Sequence, residues 1–391
     1  MADASRHNLY AILESIYGET PATPAFDTLR HTSATLGLSK NTQISEELRA
    51  DRQISSFKHG AKQIGGDLGF ELSYATYDDF IEAVLGGTWE TIAPYNVSTL
   101  AVDDSDNSIN DSALGFLTAG FKNGDEIDVT GFLTNASNND TFTIKSVTAG
   151  KIIVNTPTVA LITEAEGDSV TLTTTSGNVT AGVERRSFSM LREFSDLGAG
   201  NKPFHLFNGV EINNMTLNVT ADAKITGTFT TLGRDQVETS DSAPAGSTFA
   251  APTVAKVMDS FTGTINEAGQ LIAVVTEMVL TMENGMEPRF VVGDDKTILP
   301  TIGRSNLSGT ITAYFENSDL LNKFINETES SMDFTLTDVD GNSYQFTMPR
   351  IKYNGGQPDV SGQGAITLAM PFQALYDAEL DTNIIVTRRA A

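Results

Sequence analysis

One strand–helix pattern is written twice in this chain. GFELSYATYDDFIEAVL (69–85) reads against GTITAYFENSDLLNKFI (309–325) at an offset of 240 positions. Gly69 falls on Gly309, Tyr74 on Tyr314 and Asp79 on Asp319. The quartet Phe80, Ile81, Val84, Leu85 falls on Leu320, Leu321, Phe324, Ile325. The spacing i, i+1, i+4, i+5 gives a helix one apolar stripe, so both copies predict a short helix lying on a sheet. Further matches follow. Phe188 and Met190 fall on Phe334 and Leu336; Val219, Ile225 and Thr226 fall on Val360, Ile366 and Thr367. A duplicated unit without a catalytic kit points to a building block.

The local signals are mainly those of strands. Leu68, Phe70, Leu72 and Tyr74 alternate with smaller or polar residues, the period of a half-buried strand. Asp78 and Asp79 suit a helix N-terminus, and Gly86-Gly87 supplies its stop. Residues 29–75 read as two strands joined by a long charged connection, 45–63. Leu9, Ile12, Leu13, Ile16 and Tyr17 fall at helical spacing, so an amphipathic helix is expected over 5–17, within an N-terminal arm, 1–28.

The texture changes at residue 97. Residues 97–182 are rich in Thr, Asn, Asp and Gly, lack Arg, Trp and Tyr, and are punctuated by Gly-containing turns. They read as a small all-β domain inserted into the first copy, with its ends close together. The expected plan is a first module of 29–96 and 183–240, a linker of 241–253 and a second module of 254–391.

Acids outnumber Lys and Arg 50 to 25, for a formal charge of −25. Such a surface repels phosphate and argues against tight nucleic-acid binding. Cysteine is absent, which removes disulfides and thiolate metal sites. No signal-peptide core or membrane-length apolar run is visible. The four histidines, His7, His31, His59 and His205, show no ligand spacing. Asp338-Val339-Asp340-Gly341-Asn342 starts like a calcium loop but lacks the closing Glu, so a hairpin turn is expected. No nucleophile–base set is found; a non-enzyme without metal or cofactor is expected.

Several long stretches resemble a known family. They are TLRHTSATLGLSKNTQISEELRADRQISSFKHGAKQIGGDLGFELSYATYDDFIEAVLGGTW (28–89), VVTEMVLTMENGMEPRFVVG (274–293), GRSNLSGTITAYFENSDLLNKFINETES (303–330) and MPFQALYD (370–377). They are similar to the tail tube proteins of long-tailed, non-contractile bacteriophages. The resemblance implies a mainly β fold of two tandem sandwich or partial-barrel modules, each with a flanking helix. It implies stacked rings in a virion tail assembled in the host cytoplasm, with DNA passing through unbound and no membrane. The implied partners are the chain itself, a tape-measure protein, and tail-terminator and distal tail proteins. Two modules per chain make a trimeric, pseudo-sixfold ring the expectation; the alternatives are a hexamer with one module outside, or another virion structural or decoration protein. Within the 45–63 connection, Arg49, Arg52, Lys58 and Lys62 are expected to meet acids of the adjacent ring. A secreted binding module or a hydrolase would need features that are not present.

Overall fold

The computed structural model describes residues 3–121, 125–155, 160–174, 176–198, 200–260, 264–272, 274–358, 360 and 362–390. The fold is mainly β, and no barrel closes among the described residues. The chain divides into two compact units. One comprises Met1–Thr88, Thr180–Asp340 and Phe346–Ile384; the other comprises Trp89–Val179, Gly341–Gln345 and Ile385–Ala391.

In the larger unit the elements run β1 (His7–Leu13), β2 (Ala25–Leu29), β3 (Ser33–Ala34), β4 (Gly37–Ile44), β5 (Phe57–Glu71), α1 (Asp78–Leu85), β6 (Phe188–Phe194), β7 (Phe204–Thr220) and β8 (Thr226–Gly233). There follow β9 (Val275–Glu283), β10 (Asn306–Tyr314), α2 (Asp319–Ile325), β11 (Ser330–Thr337), β12 (Ser343–Tyr353, which belongs to this unit from Phe346 on) and β13 (Thr367–Ala374). The order strand, helix and three strands therefore occurs twice.

The two series share one antiparallel sheet, paired in the order β4–β5–β8–β7–β9–β10–β13–β12. The joint is β7 against β9, from Asn214 opposite Glu283 to Thr220 opposite Glu277. Period-2 alternation gives this sheet two faces. One row across the core face is Phe70, Gly227, Leu217, Leu280, Gly309, Phe372. The next is Leu68, Phe229, Met215, Met282, Leu307, all buried. Glycine is required beside each large ring of the first row. A Cβ on Gly309 would come within 2.5 Å of the Phe372 ring, and one on Gly227 would collide with Phe70. On this face lies α1, where Phe80 meets Phe188 and Phe229 edge-on at centroid separations of 4.9 and 5.3 Å.

Two expectations are corrected. Residues 5–17 do not form a helix; Ala4–Arg6 is one 3-10 turn and β1 follows. β1 pairs with β2 on one side and β6 on the other, and Leu9, Tyr10 and Ala11 are buried. Two ladders of main-chain hydrogen bonds outweigh a helical spacing that local sequence alone supplied. The strand part of the repeat is also displaced. Glu71 lies opposite Thr226, and Tyr314 opposite Thr367. Since Thr226 corresponds to Thr367, Glu71 corresponds to Tyr314, an offset of 243 rather than 240. Gly66, not Gly69, is the counterpart of Gly309, and the strand-to-helix connection is shorter in the second copy.

Residues 241–253 are pinned rather than free. Thr248 and Phe249 pair in parallel with β2, and the Phe249 ring lies 4.5 Å from Tyr10 and 5.8 Å from Phe26.

The smaller unit holds a seven-stranded sheet built from residues 95–174. Its own core includes Phe116, Phe121, Ile127, Ile152 and Leu172.

Candidate assembly surfaces

The face of the shared sheet opposite the core is small and polar. One row reads Gly69, Thr228, Thr216, Thr281, Ser308, Gln373. Its neighbours read Glu71, Thr226, Asn218, Val279, Thr310, Pro371 and Asp67, Thr230, Asn214, Glu283, Asn306. From β5 to β13 these rows contain acids but no Lys or Arg; in β12 the first row continues to Lys352, which bridges Glu327 at 3.1 Å, and Lys224 bridges Glu71 at 3.1 Å. Such a surface offers hydroxyls and negative charge, and its cations are held by acids.

The two helices differ in what covers them. In α1, Phe80, Ile81, Val84 and Leu85 are all buried. In α2, no residue is buried; Leu320, Leu321 and Phe324 are half-covered and Ile325 is 61% exposed. Beside α1, the Asn284 amide of the second series donates to the Val84 carbonyl at 2.8 Å, fixing the helix over the β7–β9 joint. After β12, Asn354 to Pro358 lie outside any strand, whereas β7 runs on to Thr220.

The connection between β4 and β5 projects as a hairpin with an apolar tip. Leu48 is 100% exposed, and Ile44, Ile54 and Phe57 are exposed with it. The connection expected over 45–63 is shorter than that: Arg49 and Arg52 lie in it, whereas Lys58 and Lys62 lie in β5, paired with Gln43 and Lys40. Arg49 is engaged within the loop, its Nε and Nη2 donating to Asp51 at 3.0 and 2.8 Å. Lys62 bridges Asp235 at 3.3 Å and Asp295 at 3.2 Å. Arg52 and Lys58 have no ion-pair partner among the described residues. Lys62 also ties this hairpin to the 287–304 segment, its N–H donating to the Asp295 carbonyl at 2.7 Å. The apolar tip was missed from sequence because its residues are scattered through a charged segment, without the periodicity of an element.

Three of the four histidines lie close to Arg192. The Arg192 Nε donates to His7 Nε2 at 3.0 Å, and His7 Nδ1 lies 2.9 Å from His31 Nε2. His31 Nδ1 lies 3.2 Å from the Leu29 carbonyl, which can only accept. His31 therefore carries its proton on Nδ1 and accepts from His7 Nδ1–H, leaving both rings neutral. Burial, then the charge of Arg192, hold the His7 pKa down to about 4. His205 is lowered by the same two causes. Arg192 is secured over Phe194, 5.3 Å from the ring centroid. Its remaining donors reach the carbonyls of Leu36 at 2.5 Å and Ala34 at 3.2 Å.

Asp338 accepts from the Asp340 N–H at 2.9 Å, a local turn contact. Among the described residues no group of three His, Asp or Glu is placed to hold a metal ion. No helix among them is long and apolar enough to cross a membrane.

A family profile described as phage tail tube protein matches residues 4–374. No curated protein matches the chain. The match runs through both copies of the strand–helix pattern, and the chain belongs to the phage tail tube protein family, structural components of the virion tail.

Proposed function

We propose that three copies of this chain close head to tail into a ring of the tail tube, each supplying two pseudo-equivalent modules. One observation carries the reading: β7 and β9 join the two copies of the pattern into one sheet. The run ends on β4 and β12, the counterparts of the strands at its own centre. A head-to-tail joint of this kind repeats until the rotation closes. If joints between chains repeat the joint within the chain, sixfold closure needs three chains. A six-chain ring with one module outside would have to break the β7–β9 ladder.

The Thr-, Ser- and Asn-lined face then forms the wall of the channel, along which DNA slides without being held. The hairpin tip, with Leu48 and Ile54 beside Arg52 and Lys58, reaches the adjacent ring. Apolar burial supplies the axial attraction there and the two cations set register. The 97–182 segment is a decoration domain on the outside. The tape-measure protein fills the channel before DNA, and tail-terminator and distal proteins bound its ends. Deleting residues 50–55 tests the axial part: single rings should form and fail to stack. Normal tubes from that variant would sink it.

A further inference from the structure

In each copy of the pattern an apolar-tipped hairpin precedes one strand, and an acid-rimmed cavity follows it. In the first copy the strand is β5. The hairpin of Leu48 and Ile54 enters it at Phe57, and the chain leaves it at Glu71 toward α1. Its 15 residues, at about 3.3 Å each, set the two features roughly 45 Å apart, at opposite ends of one strand. The cavity, about 240 Å³, opens between β1, β2 and the start of α1. Ile12, Leu29, Phe80 and Phe188 line it, and Leu13, Asp27 and Asp79 are exposed at its mouth. In the second copy Val291 and Val292 stand exposed in the hairpin of Glu287–Arg289 and Ile298–Thr301, before β10. A cavity of about 310 Å³ after β10 is lined by Leu320 and Leu368, with Glu316 and Asp319 exposed.

The first hairpin and the first cavity carry complementary charges. Arg52 has no ion-pair partner among the described residues, and neither Asp27 nor Asp79 has one. Burial, then the charges of Glu82, Asp27 and Asp78, push the Asp79 carboxyl above its ordinary range. The neighbouring cation, Arg186, is taken by Glu82 at 3.3 Å and Glu184 at 3.2 Å. The second cavity already has a cation, since Lys323 lies 2.5 Å from Glu267 on its wall. The cations of the second hairpin are engaged as well: Lys296 bridges Asp235 at 2.6 Å, and Arg289 donates to the Leu299 carbonyl at 2.9 Å.

We propose that the β4–β5 hairpin of one chain seats in the β1–β2–α1 cavity of a chain in the next ring, with Leu48 and Ile54 against Leu13 and the apolar wall and Arg52 on Asp27 and Asp79. The inference rests on the axial reading of this hairpin and names the surface it meets. Hairpin and cavity lie at opposite ends of β5, so the contact is head to tail and continues from ring to ring. Burial of Leu48 and Ile54 supplies attraction, and Arg52 selects this cavity over the one that Lys323 already serves. A cavity of this size takes side chains; small-molecule sites start at roughly 300 Å³.

The chain has no cysteine, so an introduced pair reports this contact alone. Leu13→Cys and Leu48→Cys, both at exposed positions, are combined in the full-length chain, assembled into tubes and oxidised. A ladder of disulfide-linked chains is expected on non-reducing gels. It should be absent from each single variant and from the dilute double variant, whose own two sites are too far apart to bridge. Leu48→Cys with Leu271→Cys, at the second cavity, should give no ladder. Tubes without the Leu13→Cys ladder, or with a ladder through Leu271→Cys instead, overturn the proposal. Arg52→Gln should raise the concentration needed for tubes about fivefold by pelleting, and so should Asp27→Asn with Asp79→Asn. Combining all three should be no worse than either, because they break one contact; losses that multiply overturn the pairing. Normal stacking by the chain lacking residues 50–55 sinks the axial reading itself. Single rings from that chain, with no ladder from the Leu13→Cys pair, sink the cavity assignment alone.

Discussion

Ile81 and Leu321 occupy matching places on α1 and α2, and truncating each to alanine should have opposite consequences. Ile81 is 1% exposed, under a helix fixed on the core face. Ile81→Ala removes three carbons at about 0.8 kcal/mol each and leaves a cavity, for a cost of about 3 kcal/mol to the free chain. Leu321 is half-covered, so its truncation forfeits roughly half the transfer term and opens no enclosed cavity, about 1 kcal/mol. The balance is realised only when a neighbouring copy covers α2, so Leu321→Ala should weaken each joint by about 1–1.5 kcal/mol, roughly tenfold in affinity. Urea unfolding followed by backbone circular dichroism, compared at constant m, gives the first pair of numbers. The concentration at which rings appear gives the second. Equal losses in the free chain, or normal ring formation by Leu321→Ala, would refute the idea that α2 awaits a partner.

Acid should loosen the β1–β2 region. The folded-state pKa of His7 is about 4 against an ordinary 6.5. Above pH 6.5 both states are neutral there and nothing changes; as pH falls from 6.5 to 4 the unfolded chain takes up the proton first and stability is lost. The full shift would amount to about 3.4 kcal/mol, which partial exposure of the ring discounts to about 1–2. His7→Gln should abolish this component, and parallel stability–pH curves for the two proteins would contradict it. Arg49→Ala should leave stacking near normal because Arg49 pairs with Asp51 in its own loop, whereas Leu48→Asp should stop stacking; sedimentation of assembled material distinguishes them. Thr281→Lys puts a cation on the polar face, so tubes should form but DNA release from virions should slow, most at low ionic strength; unchanged release would show that this face does not meet DNA.

The alternation in EINNMTLNVT matches the core and polar faces of β7, because a strand buried on one side writes its two faces into its sequence. The stripe of α1 was legible for the same reason. Other features depend on partners remote in sequence. β1 looked helical because Leu9, Ile12 and Leu13 satisfy that spacing, while the strands that claim it lie at 25–29 and 188–194. The displacement of the strand register was hidden because a gapless reading carries one offset across the strand-to-helix turn. Arg192 had no sequence signal at all: its meaning lies in two carbonyls 156 and 158 positions away.

The number of chains per ring tests the account most directly. A cryo-electron microscopy reconstruction of assembled tubes, with mass per ring measured independently, should give three chains per ring. Six near-equivalent modules should follow one another about the axis, alternating between joints within a chain and joints between chains. Six chains per ring, or a ring in which β7 and β9 have separated, would contradict it.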